Sequence, residues 1–350
     1  MKFTKKSVCI SIAFLFVLSF SAALSAGELE PSAPPSSGTM KTLDEVEPRI
    51  PIPGSETPVS TFEIEESGSY YLTGSRVCSS TGIYIGSGVN NVTIDLSGCT
   101  LSAVEGSTGT GILMQSCRNV SILNGTVEGF ANCGIAEYNS YGNAKGHRIF
   151  GVTVAGTGAA HTSFDAISLS GGKHIIENCI IRDNSNDGIV LSSGGGTVRN
   201  NDVSNNGSNG IVVYRRNNVE GNRCCWNGDS GINSNGPSII KDNVCISNEE
   251  KGIQTQDGCR IIGNLVSSNY NYGIYAGDNC CIKGNTANSN GSGGIHGTYN
   301  CLFVDNVACE NSTYGIHASS DGYIDSNTAV DNGNSNIYSA GSTLGSNHAP

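Results

Sequence analysis

Charge, aromatic rings and proline are all scarce in this chain. Only 14% of residues are Asp, Glu, Lys or Arg, and only 7% are aromatic, with a single Trp. A disordered chain would carry more charge and fewer Val and Ile. Proline is 9 of 350 and glycine keeps no three-residue period, so a collagen is excluded. Basic residues are outnumbered, 19 Lys and Arg against 30 Asp and Glu, a net charge of −11. That balance argues against nucleic acid as a partner but leaves room for a local basic groove. What is abundant is Gly (47) and Asn (38), every Asn lying after residue 89. Poor helix formers in such numbers point to an all-β chain with many turns.

The first residues read as an address, not as fold. Lys2, Lys5 and Lys6 precede an apolar run from Val8 to Leu18, and small residues follow through Ala26. This is the layout of a signal peptide over residues 1–26, so the protein is expected to be secreted or periplasmic. The apolar run is too short to span a membrane, and no later segment is long enough to insert in one. Residues 27–60, rich in Pro, Ser and Glu, read as a flexible linker. The ordered domain is expected at 61–340, with a tail at 341–350, and as a monomer. Of 14 Cys, one leaves with the signal, and an odd remainder speaks against a disulfide framework.

The informative feature is a repeat. Gly-Ile recurs with Ile at 189, 211, 232, 253, 274, 295 and 316, a step of 22 once and of 21 thereafter. Ile167 and Ile337 extend the series, and Ile83, Ile112 and Ile135 are looser copies. Eleven residues after each Ile from 167 to 316 stands an Asn, beginning Asn178, Asn200 and Asn222. Sixteen residues after stand Asp183, Asn205, Asn227 and so on to Asn332. A period of 21 with β-type residues predicts one turn of a parallel β-helix per repeat, about 12 coils stacked over roughly 55–60 Å. Residues at equal phase then form columns. Each Ile and the residue two places on point inward. Further inward columns are predicted eight residues on (Ile175, Thr197, Val219, Ile240) and thirteen on (Ile180, Asp202, Cys224, Cys245). Asp202 breaks the last of these. The Asn columns read as turn residues that take left-handed backbone angles and bond one another along the axis.

Coils such as GIQTQDGCRIIGNLVSSN and GIYAGDNCCIKGNTANSN resemble those of the right-handed parallel β-helix superfamily, the pectin-lyase-like fold. The opening SGSYYLTG…GIYI…NVTIDLSGCTL resembles the first coils of secreted bacterial β-helix proteins. The resemblance covers about residues 62–340 and implies the fold. For function it implies a range: polysaccharide lyases, hydrolases and epimerases, but also adhesins and tailspikes. SFDAISL resembles part of a polygalacturonase motif, yet the second Asp and the partner motifs of that enzyme are missing.

Equal phase also gathers candidate chemistry. Asp165 and Asp187 stand two residues before successive Ile, so they should be coil neighbours about 5 Å apart. Close carboxylates raise one another's pKa and can form an acid/base pair. With His161 and Arg199 they are the candidate catalytic set, and His174, Arg182 and Arg215 nearby would hold an acidic glycan. One residue after each Ile, Tyr275, His296, His317 and Tyr338 form a second candidate, an outward strip able to stack sugar rings. The competing readings are ordinary turn residues for the acids and β-propensity for the rings. Asp229 with Glu250, and Asp257 with Asp278, could share Ca²⁺ at adjacent turns, though solvated turns explain them as well. No other cofactor and no bound metal is called for. The expected function is binding, and processing, of a polysaccharide, with a non-catalytic glycan-binding or adhesive module as the alternative.

Overall fold

The computed structural model describes residues 49–138, 144–158 and 164–350. It is an all-β right-handed parallel solenoid whose strands pair in parallel with the coil before and the coil after. Each coil has three faces. The first carries the Ile strands, thirteen of them from Phe62–Ile64 to Ser335–Ser339. The second runs from Ile50–Ile52 to Thr343–Leu344, and the third from Ser55–Val59 to Thr328–Val330. The long strands Ser121–Glu128 and Arg148–Ala155 cross the corner between the second and third faces and pair on both. The stack has about fourteen turns, not twelve. The difference lies at the start: the first strands, at Ile50–Ile52 and Ser55–Val59, carry no Gly-Ile mark and fall in the stretch expected to be linker. At the other end, Thr343–Leu344 pairs with Tyr323–Asp325 inside the expected tail.

The inward columns of the first face are as expected, with Ile167, Leu169, Ile189 and Leu191 fully buried. On the other faces the phase needs correcting in two coils. Ile175 and Ile180 are exposed, and Ile176 and Ile181 are the buried residues. Likewise Val198 and Val203 point inward in place of Thr197 and Asp202. The cause is a single extra residue. Steps 167–189 and 189–211 are 22 residues long, and the register pairs Ile175 with Thr197 but Thr197 with Asn218. The extra residue therefore sits in the corner between the first and second faces, and everything beyond it shifts by one. Asp202 does not break the core; it stands outside and meets Arg223 at 3.1 Å.

The same shift moves the Asn columns. Asn178 and Asn200 are exposed. The buried ladder at the second corner runs Asn201, Asn222, Asn243, Asn264, Asn285, Asn306, Asn327. In each step one side-chain oxygen accepts both the backbone N–H and the side-chain N–H of the Asn one coil earlier, as Asn264 does from Asn243 at 2.9 and 3.0 Å. A parallel ladder at the third corner begins at Asn184 and Asn206 and runs through Asn227, Asn248 and Asn269. The left-handed backbone falls on the residue before the ladder Asn, as at Asp242 (φ 55), Ser247 (φ 56) and Ser268 (φ 56). Stacking is thus as expected; the angle belongs to the neighbour. Gly-Ile also gains a reason. A Cβ on Gly252 would lie 2.6 Å from the Gly273 carbonyl oxygen and 2.8 Å from Asn269 Nδ2, so only glycine lets the chain pass over the third-corner ladder.

Candidate functional site

The outer side of the first face carries two neighbouring columns of side chains, one residue after each Ile and two residues before it. In the later coils both columns turn aromatic. Tyr275 and His296 have ring centroids 4.6 Å apart, His296 and His317 4.6 Å, His317 and Tyr338 4.8 Å. The second column adds Tyr272, 5.4 Å from His296, and Tyr314, 5.0 Å from His317. Sequence reading found the first column and missed the second, because Gly293 interrupts it between the two tyrosines. The strip forms there because parallel in-register strands repeat each outward position at every coil.

Its imidazoles are neutral. His296 is buried, and burial, aided by the neighbouring His317, lowers its pKa to about 4. Burial lowers His317 as well. The Nε2 of His296 lies 3.0 Å from Ser319 Oγ. The buried Nδ1 atoms of His296 and His317 have no hydrogen-bond partner among the described residues. Tyr338, at the end of the strip, is 44% exposed. The surface therefore offers ring faces for the C–H groups of a sugar.

In the earlier coils the column two residues before Ile reads Cys133, Asp165, Asp187, Asn209. The backbone joins Asp165 to Asp187, the Ala166 N–H donating to the Asp187 carbonyl. Asp165 accepts from Asn186 Nδ2 at 2.7 Å and from Ser168 Oγ at 3.0 Å. Burial, then the charge of Asp187, raises its pKa to about 6. Asp187 accepts from the Asn209 backbone and side chain at 2.8 and 3.0 Å. Tyr138 brings its Oη to 3.8 Å from Cys133 Sγ, and its pKa is raised by burial and then by Cys133 and Asp165. Neither Tyr138 nor Cys133 stood out in the sequence, since the coil that carries them is 32 residues long and its phase is lost.

The remaining expected site residues lie elsewhere. Arg199 is on the second face, bonded to Glu177 at 2.9 Å, and is not at the Asp165–Asp187 turn. Arg182 pairs with Asp183 on its own strand end. His174, expected to touch substrate, is fully buried: the one-residue shift turns it into the coil, where it stacks on His147 at 4.8 Å. There its Nδ1 accepts the His147 N–H, and burial, then His147, lowers its pKa to about 4. His147 itself faces the buried Glu137 at 3.4 Å. Arg215 stands at the first corner, exposed. His161 lies outside the described residues. Asp257 and Asp278 spend their carboxylates on the turn of the next coil, accepting from the Asp278 and Tyr299 N–H groups at 2.9 and 3.1 Å. Among the described residues no three His, Cys, Asp or Glu side chains converge as metal ligands.

Several solved structures share this architecture. The periplasmic alginate epimerase AlgG, as a double mutant, superposes with a TM-score of 0.61 at 16% identity, covering 84% of this chain and 79% of that one. The A-module of the Azotobacter vinelandii mannuronan C-5 epimerase AlgE4 gives 0.59 at 15% identity, over 85% and 91% of the two chains. The catalytic domain of a GH87 alpha-1,3-glucanase in complex with tetrasaccharides gives 0.53 at 16%, over 91% and 70%. At these identities the likeness is one of fold. No curated protein matches the chain. The sequence model of the family described as "Right handed beta helix region" matches residues 60–218 and 141–281, well over half of the chain, which therefore belongs to the right-handed β-helix family.

Proposed function

We propose that this is an exported polysaccharide-binding protein that holds a glycan along the outer side of the first face. The observation that carries the reading is the run of six rings in contact, Tyr272, Tyr275, His296, Tyr314, His317 and Tyr338. Flat rings at coil spacing suit successive sugars of a chain laid parallel to the axis. The fold's occurrence in alginate epimerases and in a glucanase solved with tetrasaccharides supports the class of ligand. Calorimetry with neutral glucan, mannan, alginate and polygalacturonate oligomers tests it. At least one should bind, and His317→Ala with Tyr338→Ala should weaken that binding at least about tenfold. A panel that binds nowhere, or binds the variant equally, removes the strip from consideration.

A processing role has one specific support. Asp165, held protonated up to a pH of about 6, is placed to give or take a proton on the same side of the sheet as the strip. Incubation with the same oligomers should then yield new reducing ends, unsaturated ends or an altered uronate composition. Those products should vanish in Asp165→Ala with Asp187→Ala while binding at the strip persists. Binding without any product in the wild type leaves a non-catalytic module.

A further inference from the structure

The chain is acidic, yet one corner is not. Between the first and second faces, adjacent coils bring Lys145 and Lys173 to the surface, and after one glycine coil Arg215 and Arg216 follow, with Arg260 two coils further on. Among the described residues none of these five has an ion-pair partner. The other arginines nearby behave differently: Arg148 and Arg199 both serve Glu177, and Arg223 serves Asp202. Two coils further on, the sign of the corner reverses, with Asp257 and Asp278.

The backbone at the centre of this patch is held in a costly shape. Arg215 (φ 52) and Arg216 (φ 54) are consecutive left-handed residues, neither a glycine nor an asparagine. The buried Asn217 fixes them. Its Nδ2 donates to the Tyr214 and Arg215 carbonyls at 2.8 and 3.1 Å, and its Oδ1 accepts the Gly196 N–H at 2.8 Å. The coil before supplies Gly194, Gly195 and Gly196, and a Cβ on Gly195 (φ 80) would meet the Lys173 side chain at 3.6 Å. The result is a cavity of about 440 Å³ bounded by Arg216, Arg260, Gly195, Gly196 and Asn218. On the far side of Pro237 a second cleft carries Arg215 but also Asp257, which repels anions, so the seat is on the Arg216–Arg260 side.

We propose that this corner is a second glycan site, one that takes the acid groups of an anionic polysaccharide. Cations recurring along the axis at multiples of about 4.8 Å present a line of charge to a linear polyanion. Guanidinium forks then pair its carboxylates. The site is separate from the ring strip, which reads sugar faces and not charge, so either can fail without the other.

The test uses Arg215→Gly with Arg216→Gly. Glycine accepts the left-handed angle, so the variant should melt no lower than the wild type. By calorimetry at low salt, alginate oligomer affinity should fall at least about tenfold. Binding of a neutral oligomer at the strip should stay unchanged. The control Arg148→Gln with Arg199→Gln removes equal charge from the second face and should leave alginate binding within about twofold. Equal loss in both variants would mean net charge alone, and no alginate binding by the wild type would end the proposal. Single-stranded poly-dT that binds as tightly and displaces alginate would also overturn it, in favour of an unselective polyanion surface.

Discussion

Asn264→Ala is expected to lower the unfolding free energy by about 2–6 kcal/mol. Its oxygen accepts the Asn243 backbone and side-chain N–H groups, and its Nδ2 donates to the Ile240 carbonyl at 3.0 Å and to Asn285 at 2.9 Å. All of these groups are buried, so truncation strands a backbone donor and a backbone acceptor without water, and each costs about 1–3 kcal/mol. Urea unfolding followed by near-ultraviolet dichroism measures the change. Asn200→Gly is the matched comparison, because Asn200 looks like a ladder residue in the sequence but is exposed with φ 55. It should stay within about 0.5 kcal/mol of wild type. Equal losses at the two positions would refute the shifted register.

Acid should loosen the fold through two histidines. His174 and His296 have pKa values lowered to about 4 in the folded protein, each through burial first. Unfolded histidine titrates near about 6.5, so between those values the unfolded chain binds more protons. Stability is then full above about pH 6.5 and falls as the pH drops toward 4, by up to about 3 kcal/mol per residue. Asp165 works in the opposite direction. Its pKa of about 6 exceeds the unfolded value of about 3.9, so folding takes up a proton there and acid stabilises. The wild type should therefore lose about 3 kcal/mol from pH 7 to pH 4, the difference of these contributions. Asp165→Asn should lose about twice as much over the same span, and His296→Tyr, which copies the neighbouring ring, should lose little. A flat profile shared by all three proteins would rule out buried neutral imidazoles.

Most of the solenoid is legible in the amino-acid sequence. Ile at fixed spacing fixes the first face, and Asn at fixed spacing marks two corners. What failed was arithmetic across an insertion. Counting from Ile167 and Ile189 assumes that the first corner keeps its length, and in those coils it is one residue longer. That single residue turned His174 inward, moved the ladder from Asn200 to Asn201 and made Asp202 look like a core defect. The ring strip survived because it precedes the variable corner within each coil. Arg199 did not join Asp165 because they occupy different faces, and equal distance in sequence says nothing about which face a coil has reached. The Tyr138–Cys133 contact was invisible because the longest coil has no neighbour of equal length to calibrate its phase.

The corner that upset the count differs in kind from the others. Two corners are bolted by stacked asparagine amides whose every bond needs the same chain length in adjacent coils. The remaining one is lined by His147, His174, Gly196, Asn217, Ser238 and Cys259, six positions with five chemistries. It tolerates an added residue without disturbing the bolts downstream. Peptides grafted between Gly194 and Gly195 should therefore be displayed without loss of the barrel-like stack, whereas the same graft at Asn205 should not. From Ile167 onward, length variation in this rod collects along that one seam, while the other two corners keep a constant length.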